Sequence, residues 1–215
     1  MLIEIPLDEN IFDEANFRLA NMSVYKKSHR QNGANQTGVI GEIVTERWLS
    51  AMGVFYTPDK TTQYDLKLLN GEKIDVKTKE RQAKPRSQFD CSVALYNHEH
   101  QMPDYYFFVS LLRDSRKPPT DIYRFTHAYL LGAVNQLQLK RFGRHVPAET
   151  LDEENGMTNW TAMYNIPIDL ITPCDQVIDK WKEISPSYNA LMDYRVMPLP
   201  EHRASKTTSV TNQVF

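Results

Sequence analysis

Glycine is scarce in this chain, with eight in 215 residues. None falls in a glycine-rich phosphate loop or a dinucleotide fingerprint, which argues against P-loop and Rossmann-type chemistry. Cysteine is scarcer. Cys91 and Cys174 are far apart and form no CxxC pair, so they read as two reduced, buried thiols of an intracellular protein. No run of about 18 apolar residues exists, and Met1-Leu2-Ile3-Glu4-Ile5-Pro6 has no basic-then-apolar signal pattern. A soluble cytoplasmic protein with no membrane partner is expected. An excess of one charge is missing too: the formal net charge is −2, so any binding of a polyanion must come from a local patch.

An apolar fraction of 41%, with 11% aromatic residues, can build a true core. The length suits one ordinary domain with a small appended module. Asp8 or Asn10 can cap a helix to about Tyr25, with Ile11, Ala15, Leu19 and Met22 on one stripe. A basic loop follows, with Lys26, Lys27 and Arg30; it reads either as a solvated connector or as a phosphate-contacting segment. A second helix is expected over Thr37–Met52, ended by Gly53 and burying Ile40, Ile43, Val44, Trp48 and Ala51. Its Glu42 is flanked by Gly38, Gly41 and Thr45, small neighbours that allow a close approach. Glu46 lies one turn on.

The most informative stretch is Tyr64–Lys79, two short strands joined at Asn70-Gly71. On the second strand Asp75 and Lys77 share one face, while Ile74, Val76 and Thr78 share the other. Register decides where Asp65 lies. A two-residue type I′ loop puts Asp65 and Asp75 on opposite faces. A three-residue loop, Leu69-Asn70-Gly71 with Gly71 in the left-handed region, brings Asp65 opposite Asp75. Two facing carboxylates repel, so a metal site requires the second register. In that case Asp75→Ala is expected to raise the stability of the metal-free protein.

The rest reads as further α/β structure. Strands are expected at Val54–Thr57, Cys91–Leu95, Asp104–Leu111 and Asp121–Phe125, with the Cys91 strand in the same sheet as the hairpin. A helix is expected from His127 to about Lys140, an edge strand at Tyr164–Ile168, and a helix started by Thr172-Pro173. The expected division is a core over 1–126, an α+β extension over 127–195 packed on it, and a polar tail over 196–215.

A hard divalent cation takes oxygen ligands. Asp65, Asp75 and the Val76 carbonyl can supply them, with Glu42 binding directly or through water, and Lys77 can hold or deprotonate a water on the metal or stabilise a pentavalent phosphate. Phosphodiester hydrolysis suits this set. Lys77, Lys79, Arg81, Lys84 and Arg86 against Glu80 give a net +4 over residues 77–86, leaving directly from the candidate site. The run is either a solvated loop or the path of a polyanion.

In Glu42, Asp65 and Asp75-Val76-Lys77 the sequence resembles the PD-(D/E)XK nuclease superfamily, over roughly residues 36–112. The departure is Tyr64 in place of proline before Asp65. The resemblance implies a restriction-endonuclease-like mixed central sheet flanked by helices, Mg²⁺-dependent cleavage with Mn²⁺ as a substitute, and a DNA substrate. Glu42, Asp65, Asp75 and Lys77 would be its catalytic set. Residues 127–215 are left for substrate choice or the contacts of a homodimer.

The rival reading is a catalytically inactive nuclease-like module that binds nucleic acid or protein. Asn97-His98-Glu99-His100 reads as a polar loop, since no second ligand cluster of suitable spacing follows it. Nothing local activates Cys91 as a nucleophile.

Overall fold

A computed structural model describes residues 2–21, 32–59, 63–95, 103–152 and 156–183. In chain order the elements are β1 (Ile3–Pro6), α1 (Glu9–Ala20), α2 (Asn32–Ala51), β2 (Tyr56–Pro58), β3 (Leu66–Leu68) and β4 (Lys73–Arg81). They continue with β5 (Asp90–Ala94), β6 (Tyr105–Arg113), β7 (Phe125–Asn135), α3 (Gln136–Phe142), β8 (Arg144–Val146) and β9 (Leu151–Asp152). The last are β10 (Met157–Thr158), β11 (Met163–Pro167), β12 (Thr172–Pro173) and α4 (Cys174–Glu183).

The architecture is α/β. A seven-stranded mixed sheet runs β1-β7-β6-β4-β3-β2, with β12 also on β7. Only β4 and β6 pair in parallel; the other pairs are antiparallel. Side-chain alternation splits the core between the two faces. On one face Leu66, Ile74, Val76, Phe107 and Leu130 pack against α1, α2 and α4. On the other, Tyr106, Phe108, Tyr129 and Leu131 pack against α3 and a second sheet ordered β5-β11-β8. Asp75 faces Tyr106 in the ladder and alternates with Ile74 and Val76, so Asp75 and Lys77 look away from α2.

Asp8 caps α1, its carboxylate accepting the Ile11 N–H at 3.0 Å. On α2 the expected stripe is buried except for Ala51, which is exposed; Val39 and Leu49 complete it. A Cβ on Gly41 would lie 1.8 Å from Thr78 Oγ1, so α2 lies close on β4 here. Gly38 has open space instead. Gly41→Ala should therefore destabilise the protein by about 1–3 kcal/mol through overpacking. Urea denaturation of Gly41→Ala and of Gly41→Ala with Thr78→Ala tests this. The second change should recover part of the loss, and a neutral Gly41→Ala would refute the contact.

Several expectations are corrected. The segment from His127 is a strand, not a helix: β7 runs through Asn135, and only Gln136–Phe142 is helical, behind a capping box of Asn135 and Gln138. Residues 128–134 are buried throughout, so the strand lacks the alternation that would separate it from a buried helix. Gly132, at φ +138°, lies outside helical geometry and lets β12 approach: a Cβ there would lie 2.1 Å from Thr172 O. The strand expected at Asp121–Phe125 is a 3₁₀ turn over Ile122–Arg124, capped by Asp121, before β7 begins. β5 belongs to the second sheet, not the hairpin's. β11 is the centre of that sheet rather than an edge, and Pro167 is tolerated at its last position, beyond the pairing with β8.

The boundary expected at residue 126 falls inside β7, and Met1–Ser185 forms one compact unit. Thr172-Pro173 forms β12 rather than the first residues of α4. Both cysteines are free and buried. Burial pushes the Cys91 thiol up to about 12, so it holds almost no thiolate at neutral pH. No helix among the described residues is long and apolar enough to cross a membrane. Lys26, Lys27, Arg30, residues 97–100 and the tail over 196–215 lie outside the described residues.

Candidate active site

The hairpin takes the three-residue register. Leu66 pairs with Ile74 and Lys67 with Lys73, and Leu68 N–H donates to Glu72 O at 2.8 Å. Gly71 sits at φ +92°, and its N–H closes the turn onto Leu68 O at 2.9 Å. Asn70 Oδ1 accepts the Glu72 N–H at 3.0 Å. One more step along this register would put Asp65 opposite Asp75, but the pairing ends at Leu66 and Ile74.

Here β3 leaves the ladder. The Asp65 N–H donates to Ile74 O at 3.0 Å, although Leu66 is the residue opposite Ile74. The Asp65 carboxylate then takes the place of the next strand carbonyl: Val76 N–H donates to Asp65 Oδ2 at 2.6 Å. Asp65 thus lies against the Asp75–Val76 peptide. The N–H and C=O of one strand residue project to the same side, so the Val76 carbonyl also points to the edge that β3 has vacated.

Asp75 is buried, at 4% exposure, and its Oδ2 lies 2.6 Å from Lys77 Nζ. The Lys77 side chain keeps 28% of its surface exposed and packs 6.0 Å from the Tyr106 ring centroid. Burial alone would lower the Lys77 ammonium, but Asp75 and then Asp65 raise it above its ordinary value. The amine is charged at neutral pH.

Glu42 and Glu46 separate cleanly. Glu46 is buried and held by both nitrogens of the Arg18 guanidinium, at 2.7 and 2.8 Å, tying α2 to α1. Glu42 is half-buried and makes no hydrogen bond or ion pair among the described residues. Burial, then Glu46, and further on Asp75 raise its carboxyl to about 7, against the opposing influence of Arg18 and Lys77. Asp65 is raised well above its ordinary value by burial first, then by Asp75 and Glu42, with the Val76 N–H opposing. Three acidic groups therefore act on one another at this edge, with Lys77 as the partly compensating charge.

A hard cation suits this donor set. Asp65, Asp75 and the Val76 carbonyl offer oxygen, and Glu42 lies within electrostatic reach. No three acidic, histidine or cysteine side chains among the described residues converge into a ready-made cage. Mg²⁺ does not require one, since it commonly takes one or two carboxylates and keeps several waters.

The basic run separates as well. Lys79 Nζ donates to Ser92 Oγ at 3.2 Å and Asp90 O at 3.4 Å. Arg81 donates to Ser110 Oγ at 2.8 Å and Asp90 O at 2.6 Å, with its guanidinium 5.2 Å from the Phe89 ring centroid. Both residues join β4 to the second sheet. Lys84 pairs with Glu4 at 2.6 Å. Arg86 is exposed. The sequence reading missed Arg18, for which no local pattern spoke. It also missed Trp160, Asn159 and Asn165; an aromatic in the unpatterned segment Asn159-Trp160-Thr161 was the available signal. Compared with models of known protein families and with curated proteins, the chain matches none.

Proposed function

We propose that this protein is a metal-dependent nuclease of the PD-(D/E)XK type, with a restriction-endonuclease-like core, that hydrolyses phosphodiester bonds in DNA as an endonuclease. The observation that carries the reading is the Asp65 carboxylate on the Val76 N–H, beside the buried Asp75–Lys77 pair. A sheet interior seldom gathers such charges without a cation or an anionic substrate to meet them.

Asp65, Asp75 and the Val76 carbonyl would hold Mg²⁺ or Mn²⁺. Bound there, the ion would acidify a water and polarise a phosphoryl oxygen. Glu42 would bind the ion directly or position the attacking water. The Lys77 ammonium faces the charge that builds on the phosphoryl oxygens in the transition state. A charged lysine fits this role better than that of a general base.

Supercoiled plasmid, linear duplex, branched and single-stranded DNA, each with Mg²⁺, Mn²⁺ or EDTA, test the proposal. Nicking or linearisation of the plasmid with either ion, and none in EDTA, is the expected result. A melting temperature that rises with Mg²⁺ should accompany it. No cleavage of any substrate, together with no thermal shift, would refute the proposal and leave a binding module.

A further inference from the structure

Between the main sheet and the second sheet lies a cavity of about 480 Å³ whose lining includes Lys77, a volume in the range of ligand sites. Phe108 and Leu131 give it an apolar wall, and Trp160, 53% exposed, lines it as well.

Two polar groups in this lining stand out. Asn165 is 1% exposed, and its Oδ1 has no hydrogen-bond partner among the described residues. Its amide orientation is fixed from behind: Nδ2 donates to Asp152 Oδ2 at 2.7 Å. Asp152 in turn accepts from Arg144 at 2.5 Å, and Arg144 bridges to Asp90 at 3.0 Å. The oxygen offered is therefore an acceptor. Asn159 Nδ2 is a buried donor, likewise without a partner among the described residues. An unmet buried donor or acceptor carries an uncompensated desolvation cost, which a ligand with both functions on one edge would offset.

We propose that this cavity receives one unpaired nucleobase of a nucleic-acid strand whose adjoining phosphate lies at Lys77. The base stacks on Trp160 and presents a donor to Asn165 Oδ1 and an acceptor to Asn159 Nδ2. A nucleobase is planar, carries both functions on its edge, and is attached to the anion that the neighbouring ammonium would meet. The inference rests on the nuclease reading for its phosphate, but its test does not require cleavage.

Of the three tryptophans, Trp48 and Trp181 are buried, so a change in emission on binding that is lost in Trp160→Phe reports Trp160. The protein in EDTA is titrated with deoxynucleoside monophosphates, a single-stranded oligonucleotide, a duplex with one unpaired nucleotide, and the same duplex fully paired. Saturable quenching by the single strand and the bulged duplex is expected, with the paired duplex at least tenfold weaker. By calorimetry, Trp160→Ala should weaken binding of the single strand about tenfold, the scale of one stacked base, whereas Trp160→Phe should largely preserve it.

The inference is overturned if no probe gives saturable quenching, as for a cavity holding only water. It is also overturned if paired and bulged duplexes bind equally, or if mononucleotides bind and strands do not. Quenching as expected, with no cleavage of any DNA and no thermal shift under Mg²⁺, would remove the nuclease reading and leave the base pocket standing.

Discussion

Replacing Lys77 with alanine is expected to slow Mg²⁺-dependent cleavage of plasmid DNA by about 10²- to 10⁴-fold, the range for losing a group that acts in the transition state. The Lys77 ammonium sits 2.6 Å from Asp75 Oδ2, yet 28% of the side chain remains open to solvent. It can therefore hold Asp75 and still face a substrate. The loss should fall on kcat rather than on KM, because the charge it meets develops as the phosphoryl group is attacked. Lys77→Arg keeps the charge but presents a planar fork in place of a compact ammonium, so it should recover only part of the rate. The alanine variant also leaves the Asp75 carboxylate buried without its partner, which lowers the melting temperature; Mg²⁺ should restore part of that fall. Circular dichroism establishes that the variant is folded. Cleavage of a folded Lys77→Ala variant within tenfold of the parent would refute the assignment.

The same pair bears on one expectation drawn from the sequence. Asp75→Ala was expected to stabilise the metal-free protein by relieving repulsion. Asp75 is also the nearer counter-charge of Lys77, ahead of Asp65, so its removal relieves the acidic group but takes the main partner from a largely buried ammonium. Asp75 is itself a source of the repulsion that raises Asp65 and Glu42 above their ordinary values, so the two effects of its removal oppose each other.

The hairpin was legible because its determinants are local. Asn70-Gly71 specified a turn, and the demand that Asp65 meet Asp75 selected the three-residue loop. The separation of Glu42 from Glu46 was hinted at by Gly41, whose lack of a side chain lets α2 rest on Thr78. Yet the residue that decides it, Arg18, comes from 28 positions upstream of Glu46. β7 was misread because it is covered on both faces, and a strand without alternation looks like the buried side of a helix. That error hid the second sheet. With β7 taken as a helix, nothing placed β5 and β11 across from β6, so Lys79 and Arg81 looked like free cations when they join two sheets. Local chemistry could be read from spacing; layering depended on contacts that sequence distance conceals.

Glu42→Gln is expected to flatten the pH dependence of stability in the metal-free protein. A carboxyl whose pKa rises on folding favours the native state below its unfolded value, near 4.5, and that contribution is lost as the pH climbs through about 7. At one pH unit per 1.36 kcal/mol, the shift corresponds to roughly 3 kcal/mol at most, with Asp65 adding to it in the same direction. The parent protein in EDTA should therefore lose stability between about pH 5 and pH 8. Glu42→Gln should lose much less, and at pH 8 it should be the more stable of the two. Mg²⁺ supplies the missing positive charge and competes with protons for the same oxygens, so its gain in melting temperature for the parent should be larger at pH 8 than at pH 5.5. Thermal melts at these pH values, with and without Mg²⁺, separate the possibilities. Parallel pH profiles for parent and Glu42→Gln would mean that Glu42 stands apart from the acidic group. A Mg²⁺ gain independent of pH would mean that the ion binds elsewhere than at these carboxylates.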